Sequence, residues 1–509
     1  MRHAFVALGI ACAACQGTPK DAAGWARAAT RRNRVQEKVE AVEQARKAPG
    51  DKKAAVPDLV LLLKDVPKVR AAAAVALGEF QDPSAVAPLV AAVDLGGGGD
   101  RPAETNDANR QIAAALGALR AREAVPLLAK LTRSRDGFTQ VAAVDALGDI
   151  GDPSGVEALV AVASDAETEP FTVKKALLAL GKIGDPRAGP VILQMLFRER
   201  RGASFFPEAA FAAYEIGPPM AGPLLAVLRG EDAELGAWAR ANGVIEGALY
   251  AKAAQVLGDL GDARAGPALV RRLSYADRMA DVQVLVRAYA AESLGRLRAR
   301  EAVKPIGDML LREKDPDLRD RYCDALVRIG DRAALPVLSK AARGGSWEAR
   351  SGALAALSQL GGDAEAGIVE AARRSDAAHA AELGPMAARL AAARECRSDL
   401  ACWTRKLADP KAAVRDRAAL EVGRLGGPAQ AAALASAAVL PVETDADLAA
   451  RWYALLALDW VTARGAPGAL VVAEQLDTLL DRERNRNFTA KVNEDAKRLA
   501  VRLRRQSRG

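Results

Sequence analysis

The chain has 509 residues, half of them apolar but only 4% aromatic, and a formal net charge of +8. That length exceeds one ordinary core and predicts several domains or a repeat array, and an alanine-rich apolar set suits close-packed helices and argues against a β-sandwich. The charge argues against nucleic acid as a partner. Residues 481–509 hold ten Lys or Arg against four Asp or Glu, and residues 31–53 hold eight against four, so little basic charge is left for a stripe along the body.

At the N-terminus, Arg2 precedes an apolar run from Ala4 to Ala14, which reads as a secretory signal peptide over residues 1–14 and is too short to span a bilayer. Ala13 and Ala14 before Cys15 resemble a bacterial lipoprotein lipobox, although Cys12 stands where that family prefers leucine. The resemblance implies lipidation of Cys15 and a periplasm-facing lipoprotein. Gln16, in place of an inner-membrane aspartate, points to the outer membrane. Ordinary signal cleavage and a soluble exported protein is the alternative. Residues 15–54 are then expected to hold a small-residue polar tether (16–30) followed by a charged helix. No apolar window of 18 or more residues follows, so no transmembrane helix is expected in the body.

From residue 55 to about residue 470 the chain repeats itself. The unit reads Arg-x-x-x-Ala-x-Ala-Leu-Gly-x-Ile-Gly-Asp-Pro-x-Ala-Val-x-Pro-Leu. Its Ala-Leu-Gly core stands at Ala76-Leu77-Gly78, Ala115-Leu116-Gly117, Ala146-Leu147-Gly148 and Ala179-Leu180-Gly181, and related copies run to Ala457-Leu458-Asp459. The spacing predicts one buried stripe per helix, with small residues letting neighbours approach closely. Gly151-Asp152-Pro153 reads as punctuation: glycine ends one helix, aspartate caps the next and proline opens its first turn. A degenerate copy is expected near residues 384–393. Arginines recur eight residues before the glycine position at Arg70, Arg287, Arg319, Arg350, Arg415 and Arg451, and aspartates recur at Asp82, Asp152, Asp185, Asp262 and Asp331. Their fixed register predicts a structural ladder tying each turn to its neighbour.

These units resemble HEAT repeats, in particular the HEAT-like repeats of phycobilisome lyases. The resemblance implies an all-α fold, an α-solenoid of about eleven two-helix repeats stabilised by nearest-neighbour stacking. It also implies that the Arg-bearing helices line a concave surface. The position after the glycine is Glu79, Asp149, Lys182, Asp259, Arg296 and Arg424 in successive copies, and this alternation of sign fits a protein partner better than a polyanion. Residues 471–509 read as a basic capping helix.

Insertions interrupt the period at residues 95–108, with Gly96 to Gly99 a flexible loop, at Ser204-Phe205-Phe206-Pro207, and at residues 230–243 with Trp238. Phe205, Phe206 and Trp238 are candidate partner contacts, because insertions on one edge of a solenoid often mark its binding face. Cys323 falls at an inward position. Cys396 and Cys402, six residues apart, are a candidate disulfide in an oxidising compartment, with two free thiols as the alternative. Their spacing and lack of further ligands argue against zinc.

Catalytic signals are missing from the pattern. The histidines are His3 and His379 only, and no phosphate loop, nucleophile elbow or zinc-protease motif is present. No enzyme activity, cofactor or metal is expected. The leading expectation is a non-catalytic adaptor of the bacterial envelope that binds other proteins and is held at the membrane by its N-terminal lipid. A chromophore lyase or chaperone-type binding protein, and acidic-polymer binding through residues 482–508, are the alternatives.

Overall fold

The computed structural model describes residues 18–96, 102–463 and 465–508. The candidate signal peptide, His3, Cys12, Cys15 and residues 97–99 lie outside the described residues. Among those described there are 29 α-helices and one two-residue hairpin, Glu199–Arg200 against Ala203–Ser204, so the fold is an all-α solenoid. Apart from the extra helix Ala233–Ala241, the helices fall into fourteen pairs, because the two end segments are themselves helix pairs. No single helix among the described residues is long and apolar enough to cross a membrane.

The pairs form two compact units: the chain up to Ile192 with Arg198–Ala212, and Leu193–Phe197 with Ala213–Gly509. Both are assembled by one rule. In the first unit, helices Pro67–Phe80, Ala103–Ala118, Gly137–Ile150 and Pro170–Ile183 stack in succession. Leu77, Leu116, Leu147 and Leu180 from these helices are buried in the core. The glycines after the first three leucines each abut the next repeat's alanine. A β-carbon on Gly78, Gly117 or Gly148 would lie 2.9, 2.8 or 2.9 Å from the Cα of Ala115, Ala146 or Ala179. The second unit repeats the contact at Gly258 on Ser293 and at Gly423 on Ala457, each 3.0 Å from the Cα. The Ala-Leu-Gly signature is therefore a knob and its seat, placed in successive repeats.

Between the two helices of a repeat the chain turns the same way each time. Gly151, Gly184, Gly261 and Gly330 take φ of 71–72°. The next residue, Asp152, Asp185, Asp262 or Asp331, accepts the backbone N–H two residues on at 2.9 Å, and Asp82 does the same after Gln81. These aspartates cap a single 3-10 turn that runs into the following helix. They are mainly local caps, and their ties to the neighbouring repeat are long, Arg122 to Asp152 at 3.8 Å and Arg300 to Asp331 at 3.9 Å. The cross-repeat ladder is carried by the arginines instead. Arg70 donates to the carbonyls of Ala92 and Asp65, Arg287 to Tyr275, and Arg319 to Ala349 and Leu310. Arg350 pairs with Asp376 and Arg415 with Asp447.

The caps make the fold acid-sensitive. The Ser84 and Ser154 hydrogen bonds hold Asp82 and Asp152 below the usual carboxylate range, and the Arg187 and Arg264 side chains do so for Asp185 and Asp262. Unfolded aspartate titrates near about 3.9. The folded chain therefore binds fewer protons, and this stabilisation is present above that value and lost as pH falls through the folded pKa values. Melting followed by circular dichroism should be insensitive to these caps above about pH 5 and decline below about pH 4. Asp152→Asn with Asp185→Asn, which keeps a capping oxygen, should flatten that decline.

Two segments differ from the sequence reading. The expected tether contains the helix Ala22–Arg31, capped by Asp21 and buried along Ala22, Ala26 and Ala29. Those alanines form a helical stripe against Val35–Lys47 and Val56–Leu62, so small residues that read as linker are in fact a close-packing face. The basic terminal helix Ala490–Arg508 does stack on Ala469–Arg482, but it is more than a solvated cap. Its other face meets residues 214–296. The degenerate copy is the helix Ala380–Cys396, which contains Pro385 and is followed by the Cys396–Cys402 disulfide, with Cα atoms 5.4 Å apart.

Candidate functional site

Two surfaces stand out, one in each unit. In the first, Phe138 and Phe171 sit in the first turns of adjacent stacked helices, 33 residues apart and at the same register, and are 72% and 62% exposed. Neighbouring helices of a stack lie about 8–10 Å apart, so the two rings form a short apolar row. A charged rim surrounds it. Arg110 lies 5.4 Å from the Phe138 ring and Lys175 5.8 Å from the Phe171 ring; Lys175 also pairs with Asp145 at 3.0 Å. Neither phenylalanine was singled out from sequence, although a phenylalanine at the second helical position of two consecutive repeats is a readable signal. Of the sequence candidates, Phe205 is fully buried below the Glu199–Ser204 hairpin, with Arg200 5.8 Å from its ring, and is not a contact residue. The hairpin folds back and shields it, a geometry that the loop-like sequence did not indicate. Phe206 and Trp238 are partly buried.

In the second unit, the terminal helix closes across the inner face. The Tyr214 hydroxyl donates to the Arg498 carbonyl at 3.0 Å, and Arg505 donates to the carbonyls of Tyr214 and Glu215. Arg296 bridges Asp259 at 3.0 Å and Asp495 at 3.3 Å, and Arg498 reaches Asp259 at 3.4 Å. Burial pushes the Asp259 carboxyl above its usual range despite these two arginines, whereas Arg296 is held up by Asp259, Asp495 and Glu292 against its own burial. Beside this network lies a cavity of about 470 Å³. Tyr214, Arg298, Trp452, Asp459, Trp460 and Arg502 are among its lining residues. Arg502 pairs with Asp459 at 2.7 Å.

The inward positions picked from the repeat are largely paired with one another. Arg46 binds Glu79, Lys182 binds Asp149 at 2.7 Å, and Arg296 binds Asp259. Their alternating sign is an internal ladder between adjacent repeats. Arg424 goes to Glu421 on its own helix.

Chemically reactive groups are few among the described residues. His379 stacks on Trp347 with ring centroids 4.0 Å apart and contacts Glu382 through Nδ1 at 3.1 Å. Cys323 is buried, and burial pushes its thiol up and away from the thiolate. Glu395 lies with Cys396 and Cys402 within 4.8 Å, but the two sulfurs are bonded to each other.

Stacked helix pairs with a repeated glycine seat, capping turn and arginine tie define an α-solenoid repeat protein. The repeats are HEAT repeats: residues 101–169, 139–203, 278–358 and 303–383 match the HEAT-repeat family model, and residues 69–94 and 249–275 match the PBS lyase HEAT-like repeat. No curated protein matches the chain significantly. Similar solved structures include human deoxyhypusine hydroxylase in complex with glycerol, at 20% identity over 55% of this chain and 96% of that one, TM-score 0.23. The CpcE and CpcF complex of phycocyanin lyase from Nostoc sp. PCC7120 is 23% identical over 54% and 94%, TM-score 0.27. Importin beta is 14% identical over 95% and 74%, TM-score 0.37. No function is carried across from these likenesses.

Proposed function

We propose that this HEAT-repeat protein is a non-catalytic, protein-binding adaptor of the bacterial cell envelope, held at the membrane by a lipid on Cys15. The paired exposed rings of Phe138 and Phe171 carry the binding part of this reading. Aromatic anchors inside a charged rim are the composition of a protein interface, and two large apolar rings in open water favour a partner that covers them. The dispersed carboxylates, a lone stacked histidine and a buried thiol support a role without catalysis. Export is supported by the lipobox-like start and by the Cys396–Cys402 disulfide, since such bonds persist in oxidising compartments. Acidic-polymer binding by the terminal helix is disfavoured, because Arg498, Arg502, Arg504 and Arg505 are already engaged within the second unit.

Cross-linked capture from detergent-solubilised envelopes tests both parts. Phe138→Ser with Phe171→Ser should leave the melting curve unchanged and remove the proteins captured by wild type. At about 1–2 kcal/mol per ring, the double change should weaken binding roughly tenfold or more. Cys15→Ser should release the protein from the membrane fraction. Equal capture by the double variant would reject the aromatic row as the contact, and a Cys15→Ser protein that stays membrane-bound would reject the lipid.

A further inference from the structure

The cavity of the second unit contains a cation that the fold does not explain. Arg298 stands three residues after Gly295, at the position where other repeats place Gly151, Gly184, Gly261 or Gly330. It adopts the same left-handed conformation, φ 52°, which a bulky side chain rarely takes without a reason. Gln81 and Arg120 do likewise in the first unit, but the Gln81 side chain bonds the Gly78 carbonyl and Arg120 is exposed. The Arg298 guanidinium is partly buried, has no carboxylate or carbonyl partner among the described residues, and lies 4.1 Å from the Trp460 ring centroid. Burial, followed by the neighbouring cations Arg300 and Arg424, pulls it below its usual range. A partly desolvated cation resting on an aromatic face with no counter-ion favours an anion beside it.

The surroundings limit what that anion is. Six arginines and three aspartates line the cavity, leaving an excess of three positive charges. The other five arginines already have partners: Arg296 and Arg498 in the Asp259 and Asp495 network, Arg328 on Glu292, Arg502 on Asp459, and Arg505 on backbone carbonyls. One unengaged guanidinium suits a monoanion better than a phosphate dianion. Trp460, more than nine-tenths buried, has an indole N–H without an acceptor, and Trp452 lies beneath Arg328 at 4.5 Å. Leu297, Leu455, Leu456 and Leu499 supply apolar wall beside the two rings. The volume falls within the roughly 300–1,000 Å³ of small-molecule sites.

We propose that this cavity binds a small organic carboxylate with a flat apolar body, its carboxylate on Arg298 and its body against Trp460. This is a ligand site separate from the aromatic row of the first unit, and it does not depend on what that row binds. Isothermal titration of the full-length protein with 2-naphthoate and the neutral 2-naphthamide tests it. Naphthoate should bind saturably at one site, with the amide about tenfold or more weaker for want of the charge-assisted pair. Arg298→Gln should lose that preference, Arg298→Lys should keep part of it, and Trp460→Leu should weaken both probes. Arg187→Gln, a surface arginine of the first unit, should change nothing. Absence of saturable naphthoate binding, equal affinity for acid and amide, or undiminished binding by a folded Arg298→Gln protein would each overturn the proposal. The acid and amide comparison on wild type holds even if a variant fails to fold.

Discussion

Glu421→Ala is expected to destabilise the second unit by about 3–5 kcal/mol, the range for stripping the partner from a buried charge. Glu421 is 2% exposed and holds three cations at once: Arg417 at 2.6 Å, Arg424 at 2.6 Å and Arg332 at 3.7 Å. Arg417 is fully buried, and two of its other hydrogen bonds go to the carbonyls of Ser358 and Gly361 in an earlier repeat. Burial pulls this guanidinium down to about 10 even with Glu421 beside it. Without that carboxylate, a charge is stranded in a low-dielectric core. Arg417→Met alone removes the charge but leaves the two carbonyls unpaired, each worth about 1–3 kcal/mol. The double variant Arg417→Met, Glu421→Met removes the stranded charge but still leaves those two carbonyls unpaired, so it should recover only part of the loss. Urea unfolding monitored by circular dichroism separates these outcomes. A Glu421→Ala midpoint equal to wild type would show that water reaches the pair and that the burial argument fails.

Gly117→Val should be the most damaging single change in the first unit. Its β-carbon would meet the Ala146 backbone at 2.8 Å, and backbone cannot swing aside as a side chain can. Overpacking of this kind costs about 1–3 kcal/mol for small additions, and the branched valine belongs at or above the upper end. Gly117→Ala should fall lower in the range, with the two helices moving apart by a few tenths of an ångström. Gly137→Ala is the control: nothing lies within 4 Å of its would-be β-carbon, and an added methyl in a helical first turn should be neutral or mildly stabilising. Thermal melts of the three variants rank them. Equal melting of Gly117→Val and wild type would mean that the helix contact is not the tight joint described here.

The repeat register, the glycine seat, the capping aspartates and the all-α class were legible in the residues alone because each is set locally. A glycine three residues past a small-residue stripe ends a helix wherever it occurs, and a stripe of alanines must find a close neighbour. Residues 16–30 were misread for the opposite reason: Ala22, Ala26 and Ala29 look like linker until a helix to bury them is in view. The candidate sites were legible only in fragments. Asp259 and Arg296 were identifiable as inward positions, but their partners Asp495 and Arg498 lie about 200 or more residues away and meet them only because small rotations per repeat accumulate into a closed inner face. The same packing places Arg298 against Trp460, while in the first unit Phe205 is buried beside its hairpin and Phe138 and Phe171 stay exposed. Local residues set what each repeat is and how it grips the next; which side chains are left over follows from geometry summed over many repeats, which no single repeat encodes.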